Sequence, residues 1–161
     1  MVSHADYSTL AEALFPALYR VCVSILRHPQ DAQDAAQEAL MKGWAQRHRI
    51  KEKTAKAYLM RIAVNECRNI QRLRMKETPQ DNLQDIGLPQ AESDLDLRQA
   101  VDRLPETLRL PILLYYMEGW TDKMIAKALH ITALAVRARL SRARKQLKEA
   151  LRQMETEGET R

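Results

Sequence analysis

Leu14, Leu18, Val21 and Ile25 stand four, three and four residues apart. That interval lines side chains along one face of an α-helix, whereas a strand would split them between its two faces. The run they belong to, LAEALFPALYRVCVSILR, is followed by two more segments that read as helices, DAQDAAQEALMKGWAQ over about 31–46 and AKAYLMRIAVNECRNIQRLRMK over about 55–76. Only RHRIKEKT, a short polar and basic loop, separates those two. Four Gly and six Pro in 161 residues leave little material for a turn-rich β fold, and 45% hydrophobic residues suffice for packed cores, so the expected class is all-α.

Charge divides the chain more sharply than its total of +5 does. Residues 1–75 hold 12 Lys/Arg against 7 Asp/Glu, residues 76–107 hold 3 against 8, and residues 108–152 hold 10 against 3. The acidic stretch contains KETPQDNLQDIGLPQAES, with two prolines, a glycine and no helical period. It reads as a flexible linker over 77–93, between domains expected at 1–76 and 94–161. The second domain opens with a helix over DLDLRQAVDRL. Next comes Pro105 at a first helical position, and then a heavily apolar helix through Leu108, Ile112, Leu113, Tyr115 and Tyr116 that Pro111 should kink or shorten and Gly119 should end.

Cys22 and Cys67 stand far apart in apolar helical patterns and read as buried thiols. The four histidines form no metal-ligand spacing with them, so no metal or cofactor is expected. The N-terminus has no basic segment leading into an apolar run, and no stretch is read as a membrane span, so the protein is expected in the cytoplasm.

The segment 121–150 carries the densest signal. In TDKMIAKAL, Thr121 suits an N-cap, with Met124, Ile125, Ala128 and Leu129 inward; Thr132 then suits the cap of a second helix from about 133 to 150. Two short helices joined by three or four residues, with Ala126 small enough for a close crossing, make a helix-turn-helix pattern. In the second helix Val136, Leu140, Ala143 and Leu147 form one apolar stripe. Arg137, Ala138, Ser141, Arg142 and Lys145 lie away from it, with Arg139 and Arg144 at its flanks. No acid follows until Glu149, so the cations repel one another and call for an external polyanion. In a major groove, Arg bonds guanine edges bidentately while neighbouring cations hold phosphates.

RARLSRARKQL after TDKMIAKALHITALAV resembles the region-four helix-turn-helix of bacterial extracytoplasmic-function (ECF) sigma factors, and LPETLRLPILLYYMEGWT resembles the segment before it. DAQDAAQEALMKGW and AYLMRIAVNECRN resemble the same family's region-two helix and promoter-melting helix. The resemblance implies a region-two bundle and a region-four helix-turn-helix joined by the linker. It implies that Asp34, Gln37, Glu38, Lys42 and Trp44 dock on the clamp helices of the RNA polymerase β′ subunit, although Trp44 alone also reads as a core anchor. It implies that Tyr58, Arg61, Asn65, Arg68 and Asn69 meet the opened minus-ten element. It further implies that Arg137, Ala138, Ser141 and Arg142 face bases of the minus-thirty-five element, with Thr132, Arg139, Arg144 and Lys145 on phosphates.

The chain departs from the family pattern at several points. Ile50 and Ala55 stand where loop aromatics are frequent, Tyr58 where Trp is common, and His130 where Gly is frequent. Leu134 and Ala135 replace a small residue and Thr, and Lys123 and Met124 replace an acidic pair. The function implied is a dissociable initiation subunit of core RNA polymerase, contacting the β′ clamp helices and the β flap, binding promoter DNA and melting its minus-ten element. It would be held silent by an anti-sigma factor and take no small-molecule substrate. A sigma-like decoy that only sequesters an anti-sigma factor is the alternative, against which the five cations of residues 131–147 argue. No nucleophile, phosphate loop or metal cluster suggests an enzyme.

Overall fold

The computed structural model describes residues 3–77 and 95–159, and every regular element among them is helical. The expected linker over 77–93 lies, but for Lys76's neighbour Glu77, outside the described residues. In the first group α1 (His4–Leu26), α2 (Pro29–Ala45) and α3 (Ala55–Glu77) pack against one another. In the second, α4 (Leu95–Arg103) and α5 (Glu106–Ile112) pack on α7 (Ala133–Glu159), which α6 (Asp122–Leu129) precedes.

The apolar period of α1 ends as anticipated in the core, with Leu14, Leu18, Val21 and Ile25 all buried. Ser3 caps the helix through its side chain, and Arg27 closes it in a left-handed conformation, φ 52°, its N–H bonded to the Val23 carbonyl. At 23 residues, with a mean hydropathy of 1.5 over its most apolar window, α1 is long and apolar enough to cross a membrane, contrary to the sequence expectation. Glu12 and Arg20 interrupt its apolar run without offsetting the average. Half of that window is buried inside the bundle, as in the core helix of a globular protein.

His28 caps α2, its Nδ1 accepting from the Asp31 N–H at 3.2 Å. The buried side of α2 is lined by Ala32, Ala35, Ala36, Ala39 and Gly43, small residues that bring neighbouring backbones close. Two ion pairs join α2 to α3, Asp31 with Arg74 and Glu66 with Lys42. Cys22 and Cys67 are buried, and neither forms a disulfide.

Tyr7, 4% exposed, donates its hydroxyl hydrogen to the Leu40 carbonyl. Burial pushes its pKa up to about 12, against the pull of the Trp44 backbone. The folded chain therefore holds the phenol neutral at pH values where the unfolded chain, with a pKa near 10, already ionises it. This contribution to stability is complete below about pH 10 and is lost as pH rises from about 10 to about 12. Denaturant unfolding in an alkaline series should show wild type losing stability relative to Tyr7→Phe across that window. Parallel curves for the two proteins would contradict the assignment.

In the second group Pro105 is the N-cap residue of α5, one position before the place expected from sequence. Pro111 lies inside α5, and the α-helix ends one residue later, at Ile112. Beyond Ile112 the chain widens into a π-helical turn, Leu113–Met117, and ends at Gly119, φ 69°. A proline lacks the N–H that the α-helical ladder requires, and the widened register follows directly upon it. Leu108, Ile112 and Leu113 are buried as expected, but Tyr115 and Tyr116 turn outward. The buried Arg109 donates from Nη1 to the Leu104 carbonyl at 2.7 Å and ties the α4–α5 corner.

Candidate functional site

Three helix faces hold the residues singled out in the sequence. On α2, Asp34, Gln37 and Glu38 are exposed opposite the buried alanines. Asp34 accepts from Gln30 Nε2 at 3.1 Å. Lys42 is turned toward α3, where its hydrogen bond with Glu66 raises its pKa, aided by the charges of Glu66 and Glu38. Trp44 is half-buried. His4 meets its ring edge-on at 4.8 Å, Tyr7 lies at 5.5 Å, and the Arg47 guanidinium sits 3.7 Å above it. Both readings of Trp44 therefore have a physical basis: its ring is anchored by α1, yet it borders the exposed face.

Met41 was not singled out by sequence. At 65% exposure it stands on the same face, seven residues after Asp34 and four after Gln37. With His4, Tyr7, Leu40 and Trp44 it lines a shallow groove of about 430 Å³. Its signal was available: within an alanine-lined helix, a large apolar residue one step out of the buried register points to solvent.

On α3, Tyr58, Arg61, Asn65 and Arg68 are exposed and Asn69 half-buried, all on the side opposite buried Leu59, Met60, Ala63 and Cys67. Arg72, also unmentioned by the sequence reading, continues this face and donates to the Asn69 side-chain oxygen. Ile50 and Ala55 are buried. They belong to the core.

On α7 the start is set by Thr132, whose Oγ1 accepts from the Ala135 N–H at 3.0 Å, just as Thr121 Oγ1 accepts from Met124 N–H at 3.2 Å to start α6. The turn between the two helices passes through His130 at φ 57°, a left-handed conformation in which Gly is the unstrained residue. Val136, Leu140 and Ala143 are buried and Leu147 half-buried, while Arg137, Ala138, Ser141, Arg142 and Lys145 are exposed on the other side. Arg137 lies 3.8 Å from Asp122. Arg139 is half-buried at one flank. At the other, Arg144 donates from Nε to the Tyr116 hydroxyl at 2.7 Å and lies within 5.6 Å of the ring centres of both tyrosines. The outward turn of Tyr115 and Tyr116 thus fixes a cation beside the exposed basic face. α7 continues to Glu159, nine residues beyond the end expected from sequence at about 150. Among the described residues no group of three His, Cys, Asp or Glu side chains is placed to hold a metal.

Two helical modules in this order, the second ending in a capped helix-turn-helix with a cationic outer face, define a protein of the sigma-70 class. Residues 10–77 match Sigma-70 region 2 and residues 94–147 match Sigma-70 region 4. The chain is 29% identical over 149 residues to the RNA polymerase sigma-H factor of Pseudomonas aeruginosa, covering 80% of this chain and 77% of that protein. It is 28% identical over 146 residues to the ECF RNA polymerase sigma factor SigE of Mycolicibacterium smegmatis, covering 83% of this chain but 57% of SigE. The sigma factor RpoE, solved in complex with the anti-sigma factor NepR from Bartonella quintana, superimposes with a TM-score of 0.75 at 27% identity over 91% of this chain and 97% of that one. The fold is shared also with CnrH, solved with the cytosolic domain of CnrY, with a TM-score of 0.65 at 19% identity. The chain belongs to the ECF family of RNA polymerase sigma factors.

Proposed function

We propose that the chain is a dissociable subunit of core RNA polymerase that selects a promoter class and opens its minus-ten element, acting in the cytoplasm by binding and not as an enzyme. The observation that carries this reading is the exposed face of α7, with Arg137, Ala138, Ser141, Arg142 and Lys145 opposite a buried stripe and behind a capped turn. Such a helix supplies bidentate donors to base edges and cations to phosphates. The α3 face supports contact with a melted strand, since Asn65 and Asn69 offer amides to unstacked bases and Arg61 and Arg68 line the same face. Residues 1–76 and 94–161 are assigned as the two functional domains. By analogy with RpoE and NepR, an anti-sigma factor covers the docking face and the recognition helix until release.

The α2 face is the proposed docking surface for the β′ clamp helices, with Met41 as its apolar centre and Asp34, Gln37 and Glu38 around it. An apolar residue ringed by polar groups suits a dissociable protein interface. Asp34→Lys with Glu38→Lys should weaken binding to core polymerase at least tenfold, about 1.4 kcal/mol. Helicity and thermal stability should stay near those of wild type, because both side chains are exposed. Titration of labelled chain into core polymerase, with circular dichroism melts as control, measures both. Unchanged affinity would remove these residues from the docking surface.

A further inference from the structure

We infer that Leu134 reads the 5-methyl group of a thymine in the minus-thirty-five element; this rests on the assignment of α7 as the base-reading helix. Leu134 is 71% exposed in the first turn of α7. Its position is fixed: Thr132 caps the helix start two residues earlier, and the left-handed turn at His130 leads into that cap. Arg137, Ala138 and Ser141 follow at three, four and seven residues and are exposed on the same side. The leucine is therefore the apolar leading end of a face that is otherwise small, polar or cationic.

The charge around it indicates what covers it. Arg137, Arg142 and Lys145 make this side hostile to a wholly apolar partner, and a purely anionic surface would give a leucine nothing to pack on. A duplex major groove meets both demands, since its rim is phosphate and its floor carries one apolar group, the thymine C5 methyl. In helix-turn-helix docking the first residues of the recognition helix reach the base edges. A leucine there offers no donor or acceptor, so adenine, guanine or cytosine beneath it would lose water from polar edges without a replacement partner. The side chain thereby favours thymine by contact and disfavours the other bases by desolvation.

The test uses core RNA polymerase loaded with the full chain. Selection from a duplex library randomised across the upstream element defines the preferred site. Each thymidine in that site is then replaced singly by deoxyuridine, which removes only the methyl group. At one position, or two adjacent ones, the replacement should weaken wild-type binding about fourfold, equivalent to about 0.8 kcal/mol at 1.4 kcal/mol per decade. Leu134→Ala, exposed and tolerant of substitution, should bind thymidine and deoxyuridine there equally while keeping its preference at the remaining positions. If every deoxyuridine replacement is silent in a well-defined site, or if Leu134→Ala retains the methyl effect, the role of Leu134 is overturned and base reading by the arginines stands. If selection enriches no upstream sequence at all, base reading by α7 is overturned, and this inference falls with it.

Discussion

Gly43→Val is expected to destabilise the α1–α3 bundle by about 3 kcal/mol or more, and Gly43→Ala by about 1–2 kcal/mol. A β-carbon at Gly43 would overlap Leu59 Cδ2 and press on the Tyr7 hydroxyl. Leu59 is fully buried, and Tyr7 is committed to the Leu40 carbonyl, so neither can step aside freely. In an open helix the same glycine-to-alanine change gains about 1 kcal/mol of propensity, and the direction of the measured effect therefore decides between crowding and propensity. Chemical denaturation of the two variants, together with Gly43→Ala paired with Leu59→Val, measures the effect. The second substitution should relieve part of the first, giving a coupling of at least about 0.5 kcal/mol. A stabilised Gly43→Ala, or strict additivity of the pair, would contradict the close crossing of these helices.

The second large effect separates two arginines two residues apart on α7. Arg142→Ala should cost about 1–3 kcal/mol on the preferred upstream sequence and flatten the preference at one base position. Arg144→Ala should weaken all sequences alike and make the slope of log affinity against log salt shallower by about one unit. The structure gives the difference a physical basis. Arg142 stands on the exposed side with Arg137 and Ala138, whereas Arg144 is held at the flank by Tyr116 and the two tyrosine rings. Affinities of holoenzyme across a set of single-base variants and several salt concentrations separate the two roles. Equal, sequence-independent losses with the same change in salt slope would reduce α7 to a cationic handle.

Much of this architecture was legible in the sequence because helix packing writes its period into the chain. The buried stripe Val136, Leu140, Ala143 and the caps at Thr121 and Thr132 could be read from residue type and spacing alone. The side of α3 with Tyr58, Arg61, Asn65, Arg68 and Asn69 came instead from the resemblance to the family, and the structure places these residues opposite buried Leu59, Met60, Ala63 and Cys67. Spacing could not reveal features that depend on a break in register. Tyr115 and Tyr116 follow an apolar run and read as core until the π-helical turn after Pro111 rotates them outward. Ile50 lies in a loop that is polar and basic, yet it is buried. The pairing of Lys42 with Glu66 depends on which helix lies beside α2, and no local pattern encodes that. The exposure of Met41, by contrast, follows from its angular position relative to the buried alanines of α2.

Run-off transcription from a promoter library, with core polymerase in the presence and absence of the full chain, shows whether the chain confers promoter selectivity on the enzyme. A discrete set of transcripts is expected that appears only with the chain, starts at fixed positions and disappears with Asp34→Lys/Glu38→Lys. Core polymerase that binds the chain yet yields no promoter-specific transcript from any member of the library would contradict that expectation.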